Sequence, residues 1–434
     1  MRILHYSTDD VSGGAAKAAY RLHTALRAAG HQSQLIVQRK QSDDDDVLTL
    51  PPLQLNPWHA RALRWRQRIP ALRQELPRVN YMFNFNQQPQ WDWQAFLAQD
   101  QQPADILCLH WITGLLDAAA MRRLYEHYRC PLVWVMADQE PMTGGCHYAF
   151  GCEGFTQSCG RCPQLASTTA QDHSRQTWEE KRRQLSDLPL CFVAPTSWGV
   201  KELKRSSLFG QHRVALLPYP IDTTTFRPLS PLVARDLLQL PADKKIIFFG
   251  ATYLEDRRKG MTHLRDGLGQ LAHILESDSQ LKREDVFLLV AGLQGRSLLP
   301  QLPFAGKYVG HLNNELTLAL AYQAADVFVC PSLEDAGPMM IPEALLCGTP
   351  TVAFAMGGAP DLIKTGETGY LAALGDAVDL ARGMHSVLTQ PDNTSIREAA
   401  RAAAWQAHAP ELVTERHLHL YQSLLTAHGN SPVH

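Results

Sequence analysis

The chain has 434 residues, 45% of them hydrophobic, 8% aromatic and 19% charged, and its 41 Lys and Arg against 43 Asp and Glu leave a formal net charge of −2. That is the arithmetic of a globular protein of two or three domains, and it excludes an intrinsically disordered chain and a small disulfide scaffold. The near-neutral balance supplies no global positive field for phosphate backbones, so nucleic acid is not an expected partner.

Residues 2–7 read as a buried strand that Gly13-Gly14 breaks. Ala15, Ala18, Leu22, Ala25, Leu26 and Ala29 then recur at helical spacing up to Gly30, and Leu35-Ile36-Val37 opens a second strand. A strand, a crossover helix and a strand at the start of the chain predict a parallel, doubly wound sheet. Apolar runs at 105–109, 132–136 and 190–194 add strands, giving a first α/β domain over 1–205. Prolines in Leu216-Leu217-Pro218-Tyr219-Pro220-Ile221-Asp222 mark a linker. A second series follows, with strands at 245–250, 286–291, 308–310, 327–330, 351–355 and 370–372 and a helix over 316–325, so 206–406 forms a second domain. Leu412, His417, Leu418, Leu420, Tyr421, Leu424 and Leu425 recur at helical spacing, which predicts that 407–434 packs back as a bracing helix. Two Rossmann-like domains of this kind are expected to face one central cleft, the default ligand site.

The N-terminus runs from Met1 through Ser7 into Asp9 and Asp10 without the apolar core of a secretory signal. No uninterrupted apolar run approaches the roughly 18–20 residues of a spanning helix. A cytoplasmic protein with at most peripheral membrane contact is expected.

The most informative stretch is Cys330-Pro331-Ser332-Leu333-Glu334-Asp335-Ala336-Gly337-Pro338-Met339-Met340-Ile341-Pro342-Glu343-Ala344-Leu345-Leu346-Cys347-Gly348-Thr349-Pro350. A strand enters it and a short helix leaves it; Pro338 and Pro342 fall near the helix start, where their missing N–H groups cost nothing, and Gly348 with Pro350 ends it. Asp335 stands at the helix entrance and Glu343 on the helix. Carboxylates accept hydrogen bonds from paired hydroxyls, and free amides at a helix start attract phosphate, so the combination suits a sugar nucleotide. On the residues alone, a helix cap at Asp335 and a solvated side chain at Glu343 remain alternatives.

This stretch resembles the donor-binding signature of glycosyltransferase family 4, retaining enzymes of the GT-B fold. Asp335 falls where that family has its first acidic residue, usually Glu, and Glu343 matches the second. The likeness extends to Gly13-Gly14, Leu109-His110-Trp111-Ile112-Thr113-Gly114, Ala194-Pro195-Thr196-Ser197-Trp198, Arg258-Lys259-Gly260, Ala324-Ala325-Asp326-Val327 and Gly357-Gly358. By this resemblance, Glu343 holds the ribose hydroxyls of a UDP- or GDP-sugar. Asp335 and His110 contact the donor sugar, Gly13, Gly14, Gly337 and Met339 line the donor site, and the acceptor is a glycan or lipid-linked oligosaccharide. Charge developing on the leaving diphosphate calls for fixed cations, for which Arg258 and Lys259 are the candidates, with Arg257 a third. No general base is assigned, because the family is thought to use the leaving phosphate itself. The chain departs from the family in having Ala251 after Gly250 where arginine is frequent, Ala137-Asp138 where relatives carry His-Asp, and Pro338 where many offer an N–H.

Nine cysteines are present, and Cys146, Cys152, Cys159 and Cys162 cluster as C-x5-C-x6-C-x2-C. Four thiolates satisfy tetrahedral zinc, so a structural zinc, reduced thiols and a disulfide are the open alternatives here, with cytosolic redox disfavouring the last. A similar insertion marks transferases resembling the colanic-acid-biosynthesis enzymes. Between Trp58 and Arg78, Arg61, Arg64, Arg66, Arg68 and Arg73 interleave with Trp65, Leu63, Ile69 and Leu72, a pattern that suits an anionic bilayer carrying a lipid-linked acceptor. The expectation is a retaining hexosyltransferase of bacterial exopolysaccharide or surface-polysaccharide assembly; a nucleotide-sugar epimerase of the same fold and a noncatalytic sugar-binding protein are the rivals.

Overall fold

The computed structural model describes residues 1–51, 83–84 and 91–429. The chain divides into two compact units, Met1–Tyr219 with Thr414–His434, and Pro220–Val413. Each is built on one parallel sheet.

The first unit holds seven strands: β1 (Arg2–Asp9), β2 (Gln32–Arg39), β3 (Val47–Thr49), β4 (Ile106–Leu109), β5 (Leu132–Val135), β6 (Leu190–Ala194) and β7 (Arg213–Leu216). Their order across the sheet is β3-β2-β1-β4-β5-β6-β7, and all neighbours run parallel. Every residue of β4, β5 and β6 is buried, which is why these strands read as short unbroken apolar runs rather than as alternating patterns. The helix Gly14–Ala28 buries Ala18, Leu22 and Leu26 of the expected stripe together with Ala16, Ala19 and His23, while Ala15 and Ala25 are half-buried, and Gly30 follows at φ 84. Tyr6, Trp134, Phe192 and Phe209 fill the core.

The second unit has six strands: β8 (Lys245–Tyr253), β9 (Val286–Leu293), β10 (Ala305–Tyr308), β11 (Val327–Cys330), β12 (Thr351–Phe354) and β13 (Gly369–Ala372), in the order β10-β9-β8-β11-β12-β13. Along β8, Ile246 and Phe248 enter one hydrophobic layer while Ile247 and Phe249 enter the other, as the two-residue period of a strand requires. In both sheets the chain winds outward from its first strand and then returns to lay its fourth on the opposite side. The switch points therefore fall between β1 and β4 and between β8 and β11.

Three expectations need correction. The boundary at 205/206 falls too early, because β7 pairs with β6 and keeps the chain in the first sheet to Tyr219. The strand expected at 308–310 is β10, Ala305–Tyr308; half-buried Ala-Gly-Lys-Tyr carries too little apolar signal to be seen. The closing helix is Pro410–Gly429, and only its part from Thr414 onward belongs with the first unit, where Tyr421 is fully buried. Among the described residues no helix is long and apolar enough to cross a membrane.

Candidate functional site

At the carboxyl end of β8 the chain turns through a short 3-10 helix, Arg257–Lys259. Asp256 starts this turn: its carboxylate accepts from the Arg258 amide at 3.0 Å and from the Arg258 guanidinium at 2.7 Å. Gly260 ends it at φ 67, and a Cβ there would stand 1.8 Å from the carbonyl oxygen of Pro331, just past β11. Only glycine lets the two loops meet so closely. The Leu333 amide then donates to the Arg258 carbonyl at 2.6 Å, joining the loop after β8 to the loop after β11.

This join sets the next residue pair. Lys259 Nζ donates to Asp335 Oδ2 at 2.5 Å, at the switch point of the second sheet. Burial works against the Lys259 charge, but the Asp335 carboxylate more than offsets it, and the ammonium ends up above its ordinary pKa. Its side chain is 26% exposed, so a charged group keeps a solvent-facing side. Asp335 Oδ1 accepts from the Gly337 amide at 3.2 Å. From the loop after β12, Gly357 at φ 55 approaches so closely that a Cβ would lie 2.1 Å from the Asp335 carbonyl oxygen. Three strand-end loops thus hold one carboxylate in place.

The structure does not gather every expected residue at this point. Arg258 is buried with its guanidinium on Asp256 rather than on Asp335. Arg257 is exposed. Glu343 lies buried on the seven-residue helix Met340–Leu346, where the Tyr322 hydroxyl donates to Oε2 at 3.5 Å. Burial, and then the Glu343 charge, push the Tyr322 hydroxyl well above its ordinary pKa, so it stays a donor. Gly337 and Met339 are half-buried beside Asp335 and at the helix start. Asp256 and Tyr322 were not anticipated. Asp256 was legible as an acceptor placed just before a basic turn, whereas Tyr322 is a core aromatic in sequence.

In the first unit, Gly13 and Gly14 are exposed, Gly13 at φ 87, and a Cβ on either would meet nothing within 4 Å. His110 ends β4 but is only 4% exposed; its Nε2 lies 2.9 Å from His5 Nδ1 and 3.5 Å from Cys108 Sγ. Asp138 is also buried, accepting from Trp111 Nε1 at 2.9 Å and pairing with His147 Nδ1 at 2.6 Å. Burial lowers the His147 pKa, yet Asp138 outweighs it and the net shift is upward. His147, hidden in sequence beside Cys146, escaped notice.

Cys146 and Cys162 pack with Phe83 and Leu165, whereas Cys152 and Cys159 lie against the main core, and all nine cysteines are free. Burial pushes the Cys159 thiol up to about 11 and the Cys146 thiol higher still. Among the described residues, the one group of three or more candidate ligands whose atoms all lie within 4.8 Å of one another is His5, Cys108 and His110. The basic stretch 58–78 lies outside the described residues.

The two parallel-sheet Rossmann-like units are those of the GT-B fold. The comparisons agree on the fold. Sucrose-phosphate synthase from Thermosynechococcus elongatus superposes with a TM-score of 0.66 at 20% identity, covering 98% of this chain and 100% of that one. Anabaena HepE in complex with UDP and glucose superposes at 0.64 and 16% identity, covering 98% and 100%. Residues 243–390, which include β8, Lys259, Asp335 and Glu343, match the family model described as Glycosyl transferases group 1. A D-inositol 3-phosphate glycosyltransferase of Streptomyces bingchenggensis is 28% identical over 210 residues, 46% of this chain and 45% of that protein. The chain spans about half the length of the curated relatives it matches.

Proposed function

We propose that the protein is a retaining glycosyltransferase that moves a hexosyl group from a UDP- or GDP-sugar to a glycan or lipid-linked acceptor. The observation that carries this reading is the Lys259–Asp335 pair, fixed by three strand-end loops at the switch point of the second sheet and lying inside the family-model match. A diphosphate competes for the same ammonium that Asp335 now holds, and the freed carboxylate then accepts from sugar hydroxyls. Negative charge growing on the leaving phosphate is met by a cation already in position, the arrangement that lowers a transfer barrier most.

In this reading Glu343 takes the ribose hydroxyls, and Arg258, with its position set by Asp256, adds positive potential rather than a direct clamp. Gly337 and Met339 lie beside the sugar. The UDP and glucose in the HepE complex support a UDP-sugar as the first donor to try. The resemblance to colanic-acid-biosynthesis enzymes supports a cytoplasmic role in bacterial exopolysaccharide assembly, and the arginines between 58 and 78 support contact with an anionic membrane.

The test is incubation of the full chain with UDP- and GDP-sugars and lipid-linked acceptors, with products read by mass spectrometry and anomeric configuration by NMR. Transfer with retention, lost in Lys259→Gln, is expected. Turnover of the donor into an isomer without acceptor, or full transfer by Lys259→Gln, overturns the proposal.

A further inference from the structure

The switch point of the first sheet carries a second cluster of polar side chains. β1 supplies His5 and β4 supplies Cys108, with His5 paired across the sheet to Cys108, and His110 follows directly after the last residue of β4. All three side chains are buried, His5 and Cys108 completely. His5 Nδ1 lies 2.9 Å from His110 Nε2, and Cys108 Sγ lies 3.5 Å from the same nitrogen. In a tetrahedral zinc site, Zn–N bonds of about 2.0–2.1 Å and Zn–S bonds of about 2.3 Å put two nitrogens about 3.3 Å apart and a nitrogen and a sulphur about 3.6 Å apart. The observed spacings need to change by only a few tenths of an ångström.

We infer that His5, Cys108 and His110 form a structural zinc site that ties β1 to β4. Two imidazoles and a thiolate are a borderline-soft donor set suited to Zn²⁺. All three ligand atoms lie within 4.8 Å of one another; on binding, the Cys108 proton passes to solvent and the thiolate sulphur bonds to the metal. A site this enclosed loads as the unit folds.

The experiment uses the full chain, purified without chelator from zinc-supplemented culture, with metal measured by plasma mass spectrometry. About one zinc per chain is expected, falling at least about tenfold in Cys108→Ser and His5→Gln, since loss of outer-shell partners alone already weakens binding by that much. Cys152→Ser, in the separate cysteine cluster, should keep its zinc. Wild type free of zinc, or Cys108→Ser with full zinc, overturns the inference. Should both ligand variants fail to fold, cobalt substitution of the wild type decides. One thiolate-to-cobalt band with the visible spectrum of a mixed nitrogen and sulphur tetrahedron supports the site, and an all-thiolate spectrum or no cobalt uptake refutes it. None of these readouts depends on sugar transfer.

Discussion

Gly260→Ala tests whether the join between the loops after β8 and β11 builds the site. At φ 67 an alanine pays roughly 1–2 kcal/mol for the left-handed conformation alone. Its Cβ would also stand 1.8 Å from the Pro331 carbonyl oxygen, so the loops must part by roughly 1–2 Å to reach ordinary contact. That movement breaks the Leu333 to Arg258 backbone bond, a further loss of about 1 kcal/mol. We expect about 3 kcal/mol of destabilisation, which for a unit of this size is roughly 5–10 °C in the melting of the second unit. Because Lys259 adjoins Gly260, a displacement of this size should also lower transfer about 100-fold. Gly366→Ala is the control: φ is 84, but a Cβ meets nothing within 4 Å, so only the conformational term applies. Differential scanning calorimetry and UDP titration calorimetry read the two effects. If Gly260→Ala melts and binds like Gly366→Ala, the loop contact does not organise the site and the reasoning fails.

Lys259→Gln keeps a donor for Asp335 but removes the charge, so turnover should fall about 100- to 1,000-fold with melting nearly unchanged, as read by product mass spectrometry and calorimetry. Glu343→Gln removes a charged acceptor, and UDP should bind about 10- to 100-fold more weakly, while 2′,3′-dideoxy-UDP should bind both proteins alike. Asp138→Asn removes the partner that raises the His147 pKa. A raised folded-state histidine stabilises fully below its unfolded value of about 6.5, and the effect is lost as pH rises through the folded value. The stability gap between wild type and Asp138→Asn in urea titrations should therefore narrow from mildly acid to alkaline pH; a gap that stays flat contradicts the pairing.

Legibility in the sequence followed burial. β6 and β11 were found with their correct bounds because all their residues are apolar and buried on both faces. β7 and β10 lie at sheet edges with half-exposed residues, so neither produces an apolar run, and missing β7 displaced the domain boundary. Asp335 and Lys259, 76 positions apart, were both singled out, but their contact was not visible, since it depends on the backbone bond from Leu333 to Arg258 and on the space left by Gly260. At the cysteines, spacing counts residues along the chain and does not show that Cys146 and Cys162 pack with Phe83 while Cys152 and Cys159 lie against the main core.

The same distinction accounts for His110. Its strand-end position made it a candidate for ligand contact, and strand-end position is indeed where open α/β sheets place ligands. What the sequence pattern omits is the adjacent strand: β4 lies beside β1 at the switch point, so His5 and Cys108 reach the His110 ring from within the sheet. In the second sheet the corresponding position, between β8 and β11, receives Lys259 and Asp335 from loops beyond the strand ends, and Lys259 retains a solvent-facing side. One topology therefore yields two chemically different sites. Where the polar side chains come from the strands themselves, they are enclosed and form a neutral cluster fit for a structural metal. Where they come from the loops above, they keep their charges and can exchange partners with an anionic ligand.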